Sequence, residues 1–254
     1  MHKSNRVTMN MLSLYLAESR LAMGRRAAED VASAIRTLLE KQVGVRMIFA
    51  AAPSQAEMLA ALREQPGIDW KRVTAFHMDE YIGLSVSAPQ RFALWLRQHI
   101  FDHLPFEAIH CIEPGVDPEQ TAAYYGELLN EAPIDIVCCG IGSNGHLAFN
   151  DPPAILDDPL TAKVVTLDLA CRQQQVDDGC FATLADVPRE AITLTVPTLI
   201  GAKRIYCCVP GTLKQLAVRS MVHEPISGAC PATALRRHPH CTVYLDQDSA
   251  ALLG

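Results

Sequence analysis

Residues 134–153 have the sequence IDIVCCGIGSNGHLAFNDPP, and this stretch decides both the fold class and the place where chemistry is expected. Residues 134–142 are almost continuously apolar, which is typical of a strand in a sheet that is buried on both faces. A glycine-rich loop follows, and it carries His146 directly after its last glycine. The stretch therefore predicts a buried strand that delivers a histidine to the end of a sheet.

Similar apolar runs alternate with amphipathic segments along the rest of the chain. This alternation predicts an α/β fold, a doubly wound and mostly parallel sheet flanked by helices (Rossmann-like), in one domain over residues 1–254. The segment 155–184 is rich in Asp and Gln and is expected to form a lid. In such sheets ligands bind where the strands end. Further strands are predicted at 45–52 and 73–81, and helices at 22–42, 89–104 and 118–132.

Composition narrows the class of protein. The chain has 254 residues, 49% of them hydrophobic, and a net charge of −6, which gives no general attraction to nucleic acid or anionic membranes. No apolar run is long enough to cross a membrane and no signal peptide is visible, so we expect a cytoplasmic location. The nine cysteines lack zinc-site spacing, and we interpret them as small buried hydrophobic residues in a reducing compartment, with no metal.

The glycine loop allows two interpretations. Gly140, Gly142 and Gly145 fit a dinucleotide fingerprint, with Asp168 near the place of a ribose-binding acid. That fingerprint must open a helix, however, and the prolines at 152 and 153 would break one. In the second interpretation the turn aims His146 into a cleft as a general acid or base.

The loop also offers groups that could orient this histidine. Asn144 and Asp151 lie close enough in sequence for one of them to hold the ring. At another strand end, Asp79 and Glu80 are either a solvated edge and helix cap or include a buried base able to take a proton from carbon.

Two further strand ends suggest an anion site. Ser54 and Gln55 follow a small-residue strand exit at the start of a helix, where backbone N–H groups are free, although Ser54 could simply cap the helix. Lys214 lies about one turn beyond Gly211 and is either a phosphate ligand or a solvated lysine. Together the four strand ends suit aldose–ketose chemistry on a sugar phosphate.

FHMDEYIGL (76–84) and GIGSNGHLAFNDPP (140–153) resemble the two signature segments of the glucosamine-6-phosphate deaminase/isomerase family. The resemblance runs from about Val45 to Leu245 and includes VPGTLK (209–214). The related 6-phosphogluconolactonases share the fold and the glycine–histidine loop, but they typically carry Asp-Glu-Arg where this chain has Asp79-Glu80-Tyr81. The resemblance therefore favours the deaminase branch.

The resemblance implies roles for individual residues. Asp79 matches the acid that removes the C2 proton, and His146 matches the histidine that opens the pyranose ring. Asp151 matches a glutamate that supports the histidine, Lys214 matches the phosphate-binding lysine, and Ser54 falls in the phosphate loop. Glucosamine 6-phosphate would become fructose 6-phosphate and ammonia, with no metal or organic cofactor.

The chain departs from the family pattern at several positions. Asn144 stands where many members have Asp, and it can hold a tautomer but cannot take a proton. Pro53 supplies no N–H to the phosphate loop. The segment CRQQQVDDGCF (171–181) offers Arg172 as the cationic lid residue, and Gly142 and Gly145 would let the backbone approach the sugar.

These departures leave alternative functions open. An isomerase or lactonase acting on another sugar phosphate is the nearest one. A non-catalytic sugar-phosphate-binding effector domain is another, although the roughly 44 residues expected before the first strand contain one helix and no second DNA-facing helix. We expect a small sugar phosphate as the only partner class, with no allosteric control, and homo-oligomer formation stays open.

Overall fold

Strands and helices alternate along the chain, and the computed structural model describes them over residues 6–9 and 12–253. The strands are β1 (Arg6–Met9), β2 (Leu12–Leu16), β3 (Val45–Phe49), β4 (Val73–His77), β5 (Asp79–Tyr81), β6 (Ala108–His110), β7 (Ile136–Cys139), β8 (Ala162–Thr166), β9 (Glu190–Leu194), β10 (Arg204–Val209) and β11 (Cys241–Leu245). The α-helices are α1 (Arg20–Leu39), α2 (Ala56–Arg63), α3 (Phe92–His99), α4 (Pro118–Asn130), α5 (Leu169–Asp177), α6 (Val196–Ile200) and α7 (Gln215–His223).

The central sheet has the strand order β1-β2-β11-β10-β7-β3-β4-β6. Every neighbouring pair from β2 to β6 is parallel, and only β1 runs antiparallel to its neighbour. Along β3, Met47 and Phe49 belong to a hydrophobic cluster shared with α1 and α2, whereas Ile48 belongs to a second cluster shared with α4 and α7. Helices therefore cover both faces, and the predicted doubly wound fold is confirmed.

A smaller antiparallel sheet, ordered β5-β9-β8, lies beside the central one. The single strand predicted over 73–81 divides at Met78, so that β4 stays in the central sheet and β5 pairs with β9. Asp79 is opposite Thr193 in this register. The division turns Asp79 away from the run of β4 and fixes it in a second, buried strand.

The N-terminal region differs from the expectation that the sheet begins at residue 45. Leu12–Leu16 forms β2 and pairs with β11, and its leucines at 12 and 14 are buried while Ser13 between them is half-buried. The run is only five residues long, which is why its alternation gave no clear signal. Among the described residues, no helix combines the length and apolar character needed to cross a lipid bilayer.

Helices α1 and α2 pack closely against each other at Gly24. Ser19 caps α1 by accepting a hydrogen bond from the Ala22 N–H. A Cβ on Gly24 would come within 2.5 Å of the Glu57 Cβ, so the absence of a side chain allows the two helices to touch. This contact brings the first residue of α1, Arg20, next to Glu57.

The nine cysteines are free thiols, and the adjacent pairs Cys138–Cys139 and Cys207–Cys208 are buried in β7 and β10. The interpretation of these pairs as small hydrophobic residues is confirmed. The segment 155–184 contains β8 and α5. Its role as a lid stays a prediction.

Candidate active site

A cleft of about 570 Å³ opens where several central strands end. The loops after β3, β4, β7 and β10 line it, as expected for the carboxyl edge of a parallel sheet. Of the residues predicted from the sequence, the cleft-lining ones are Ser54, Asp79, Gly142, His146 and Lys214.

Asp79 lies in the wall of this cleft with only 6% of its surface exposed. Burial raises the pKa of its carboxyl group well above the usual value, and the neighbouring Glu80 carboxylate raises it further. No described residue donates a hydrogen bond to this carboxylate. Once ionised, Asp79 is therefore a stronger base than an ordinary aspartate.

Glu80 has a different task from its neighbour. Its fully buried carboxylate accepts hydrogen bonds from the N–H groups of Phe92 and Ala93, at 3.1 and 3.0 Å, and lies 3.5 Å from the Arg91 Nε. It thus satisfies the N-terminal turn of α3. Of the two predicted interpretations of this acidic pair, the helix cap applies to Glu80, whereas Asp79 faces the cleft.

His146 lines the cleft with one edge and faces Asp151 with the other. Its Nδ1 lies 3.2 Å from the Asp151 Oδ1, although off the line of an ideal N–H···O bond. Burial alone would raise the pKa of Asp151, yet the contact with His146 and hydrogen bonds from Asp168 and Asn144 hold it below its usual value. Asp151 is therefore an anion placed behind the imidazole.

Asn144 forms hydrogen bonds within the glycine-rich loop and none with the His146 imidazole. Its Oδ1 accepts the His146 backbone N–H at 3.0 Å, and its Nδ2 donates to the Asp151 Oδ1 at 3.4 Å. The sequence left open whether Asn144 or Asp151 orients the imidazole, and the geometry selects Asp151. Asn144 positions both of them from behind, and neither Asn144 nor Asp151 lines the cleft.

The glycines of the loop serve close contacts. A Cβ on Gly142 would lie 2.3 Å from the His146 ring, and Gly145 has φ +86° with Cys230 Sγ only 2.7 Å from its virtual Cβ. Gly145 shapes the turn but does not line the cleft. Residues 140–161, all described, form no helix, which excludes the dinucleotide interpretation. Asp168 caps α5 instead of meeting a ribose.

The loop after β3 departs from its predicted detail. Pro53–Gln55 forms a 3₁₀ turn before α2, and the Ser54 hydroxyl caps no helix but accepts a bond from the Gln55 Nε2 at 2.9 Å. Gln55 is fully buried and also donates to the Cys208 carbonyl oxygen at 3.2 Å. It ties the loop to β10 and does not reach the cleft, so only Ser54 is left as a side-chain donor here.

Lys214 is the buried cation of the cleft. It is 8% exposed, and no described residue forms a salt bridge with it. Burial lowers the pKa of its ammonium group, while the nearby Asp178 opposes that shift. An unpaired, desolvated ammonium group is well suited to attract a phosphoryl anion.

Arg172, predicted as the cationic lid residue, lies outside the cleft. Its Nη2 donates to the carbonyl oxygens of Leu184 and Val187, at 2.6 and 2.9 Å, and so braces the loop after α5. The wall formed by α5 presents Gln174, Gln175 and Asp178 instead. Gln174 also accepts the Ser143 N–H at 2.7 Å and joins this helix to the glycine loop.

Sequence reasoning missed Arg20, which lines the cleft from the start of α1. No local pattern marks it, because its contacts with Pro53 and Glu57 cross more than 30 residues of sequence. The signal that could have found it was the missing N–H at Pro53, which calls for a donor from elsewhere.

His146, Asp151 and Cys171 offer three ligand atoms within 4.8 Å of one another, a donor set that Zn²⁺ accepts. Burial and the carboxylates of Asp151 and Asp168 raise the pKa of the Cys171 thiol. The thiol therefore keeps its proton in this arrangement, and a metal would have to displace it.

A sequence model of the family described as glucosamine-6-phosphate isomerases/6-phosphogluconolactonase matches residues 18–244. The chain belongs to this family. Among the family's curated members, the glucosamine-6-phosphate deaminase of Exiguobacterium sibiricum is 34% identical over 233 residues, which cover 89% of this chain and 90% of that protein. The glucosamine-6-phosphate deaminase of Listeria monocytogenes serotype 4a is 32% identical over 243 residues, or 95% and 100% of the two chains.

Solved structures of a glucosamine-6-phosphate deaminase and of 6-phosphogluconolactonases have a fold similar to that of this chain. A monomeric glucosamine-6-phosphate deaminase superposes with a TM-score of 0.87 at 26% identity and covers 94% of this chain and 99% of its own. A 6-phosphogluconolactonase from Thermotoga maritima superposes with a TM-score of 0.76 at 16% identity, covering 92% and 99%. At 16% identity, the similarity to the Thermotoga maritima structure shows only that the fold is shared.

Proposed function

We propose that this enzyme is an amino-sugar-phosphate deaminase/isomerase that converts glucosamine 6-phosphate, or a close relative, to fructose 6-phosphate and ammonia. The observation that carries the proposal is one cleft lined by a buried carboxylate, an imidazole backed by an anion, and an unpaired lysine: Asp79, His146 and Lys214. The names of the relatives at 32–34% identity support the same substrate.

Binding and ring opening come first. Lys214 holds the phosphoryl group by charge, helped by the Ser54 hydroxyl. His146 takes the proton of the anomeric hydroxyl and returns a proton to the ring oxygen, which breaks the ring C–O bond and gives the open-chain aldehyde. Asp151 stabilises the imidazolium formed between these two transfers.

Deamination follows at C1 and C2. The Asp79 carboxylate removes the C2 proton, and an enolamine forms as the aldehyde oxygen takes a proton from water. Asp79 then delivers its proton to C1, and the nitrogen returns a proton to water, which leaves an imine at C2. Water adds to that carbon and ammonia departs, so that substrate and water give fructose 6-phosphate and ammonia. The raised pKa of Asp79 matches a base that must take a proton from carbon.

The lactonase alternative lacks a cation at the position where lactonases typically carry Arg. Tyr81 stands there, 1% exposed and packed against Phe92, Phe149 and Phe181. This apolar environment supports the deaminase branch.

We also propose that α5, with Gln174 and Gln175 at the cleft, belongs to a lid within 155–184 that closes over the sugar. A charged phosphorylated substrate and a set of free thiols favour a cytoplasmic location.

The test is a pair of assays on the purified full chain. With glucosamine 6-phosphate we expect ammonia and fructose 6-phosphate in equal amounts, and with 6-phosphogluconolactone we expect no hydrolysis above the buffer rate. Arg219→Ala is the matched control and should release ammonia like the unmodified chain, because Arg219 is an exposed arginine of α7, the helix that follows Lys214, and lies outside the cleft. Lactone hydrolysis without ammonia would overturn the proposal in favour of a lactonase, and tight sugar-phosphate binding without turnover would favour a binding protein.

A further inference from the structure

A second cation, Arg20, lines the same cleft next to the loop that carries Pro53 and Ser54. Its Nε lies 2.6 Å from the Glu57 Oε1, and its Nη2 donates to the Pro53 carbonyl oxygen. The Arg20 side chain keeps 42% of its surface exposed. Its Nη1 has no hydrogen-bond partner among the residues that the structure describes. Two nitrogens of the guanidinium group, Nε and Nη2, are therefore held by the protein, and Nη1 is free to donate to a ligand.

The loop that Arg20 touches is short of donors. Pro53 has no N–H, the Gln55 N–H is bonded to the Ala52 carbonyl oxygen, and the Gln55 side chain is turned toward β10. Among the described groups of residues 53–55, only the hydroxyl and the backbone N–H of Ser54 are left to meet an anion from this side. A guanidinium group carries five N–H donors in a planar fork that matches phosphate oxygens, and so it can replace lost backbone donors.

The surrounding charge also requires a cation here. Glu57 lies in the first turn of α2, beside the helix end that would attract an anion, and its Oε2 is buried without a hydrogen-bond partner. An unneutralised carboxylate at this place would repel a phosphoryl group. Arg20 offsets that charge and also lines the cleft.

We propose that Arg20 is a second cationic ligand of the substrate's phosphoryl group, acting across the cleft mouth with Lys214. This inference rests on the proposed sugar-phosphate function, because it assumes a phosphorylated ligand. Arg20 supplies the donors that a glycine-containing phosphate loop would otherwise provide. Its tie to Pro53 and Glu57 holds the fork in place before the ligand arrives.

A simpler role is that Arg20 only neutralises Glu57, and a double-mutant cycle separates the two roles. Binding of inorganic phosphate is measured by titration calorimetry on Arg20→Ala, Glu57→Gln and the double variant. We expect Arg20→Ala to weaken phosphate binding roughly 10- to 100-fold, as for loss of a charged hydrogen bond. Glu57→Gln should bind phosphate at least as tightly as the unmodified chain. The double variant should regain the part of the affinity that the unneutralised carboxylate removes, but it should stay clearly weaker than Glu57→Gln because the Arg20 donors are missing.

Arg25→Ala is the matched control, since Arg25 is an exposed arginine of the same helix outside the cleft. It should bind phosphate like the unmodified chain, and Arg20→Lys should recover part of the lost affinity. A double variant that binds as tightly as Glu57→Gln would overturn the proposal, because Arg20 would then act only on Glu57. Thermal unfolding of each variant verifies that it is folded.

Turnover gives an independent readout. Arg20→Ala should raise KM for the sugar phosphate by a similar factor and change kcat only slightly, because phosphate binding is equal in ground and transition states. Phosphate binding is measured without turnover, so a failed deaminase assay leaves the Arg20 result intact. Conversely, unchanged phosphate affinity in Arg20→Ala with normal ammonia release refutes the Arg20 proposal alone.

Discussion

The Nδ1 of His146 lies 3.2 Å from the Oδ1 of Asp151, and the cleft lies on the other side of the ring. Because the pKa of Asp151 is below its usual value, this partner is an anion across the neutral range. In the proposed mechanism, this anion stabilises the imidazolium that forms during one proton transfer.

Asp151→Asn should therefore slow ring opening by about 10- to 100-fold, because the imidazolium loses its anionic partner. Asp151→Glu should restore most of the rate, since it keeps the charge. Steady-state kinetics over pH 5–9 is the measurement. An Asp151→Asn variant with the same rate and the same pH profile as the parent would show that Asp151 only shapes the loop.

Asn144→Asp places a second carboxylate beside Asp151 and removes the donor that spans 3.4 Å between them. Two adjacent anions favour the protonated imidazole, so the pH–rate profile should move to higher pH by about half a unit to one unit. If ring opening limits turnover, the rate on the alkaline side should also rise. Asn144→Ala is the control, because it removes both hydrogen bonds without adding charge and should lower the rate without moving the profile. Superimposable profiles for Asn144→Asp and the parent would refute this account.

Asp79→Asn should stabilise the fold while it abolishes activity. In the unfolded chain Asp79 ionises near pH 4, whereas in the fold its pKa is raised, so its protonated form favours the fold at low pH. That contribution is lost as the pH rises through the folded pKa. The variant escapes the loss and should gain on the order of 1 kcal/mol at pH 8, with a smaller gain at pH 5. Urea unfolding at both pH values decides it, and a variant less stable at both would contradict the raised pKa.

Glu80→Gln should have the opposite effect on stability. Its amide would replace one of the two oxygens that accept the Phe92 and Ala93 N–H groups, and it leaves Arg91 without its buried anion. The expected loss is about 1–3 kcal/mol in the free energy of unfolding. Glu113→Gln is the matched control, because Glu113 pairs with the same arginine but is 61% exposed, and its removal should cost well under about 1 kcal/mol. Equal losses in the two variants would remove the distinction between cap and surface pair.

The sequence predicted the parallel sheet because its strands are continuous apolar runs, and it predicted His146 and Asp79 because both follow such runs. The residue pattern alone did not separate Asp79 from Glu80, since strand alternation places them on opposite faces without saying which face meets the cleft, and the choice of Asp79 came from the family resemblance. Arg172 was placed in the cleft by the family resemblance alone, because the few apolar residues of α5 form no clear stripe from which to assign its faces. Arg20 was missed because its contacts come from helix packing at Gly24, far from the loop it serves.

The central claim, that Asp79 moves a proton from C2 to C1 in this cleft, is tested most directly by running the reaction in deuterium oxide. Once the Asp79 carboxyl proton exchanges with solvent, the fructose 6-phosphate formed from glucosamine 6-phosphate should carry deuterium at C1, seen by NMR. Asp79→Asn should release at least about 100-fold less ammonia and incorporate no deuterium. Deuterium at C1 with normal ammonia release by Asp79→Asn would contradict the account.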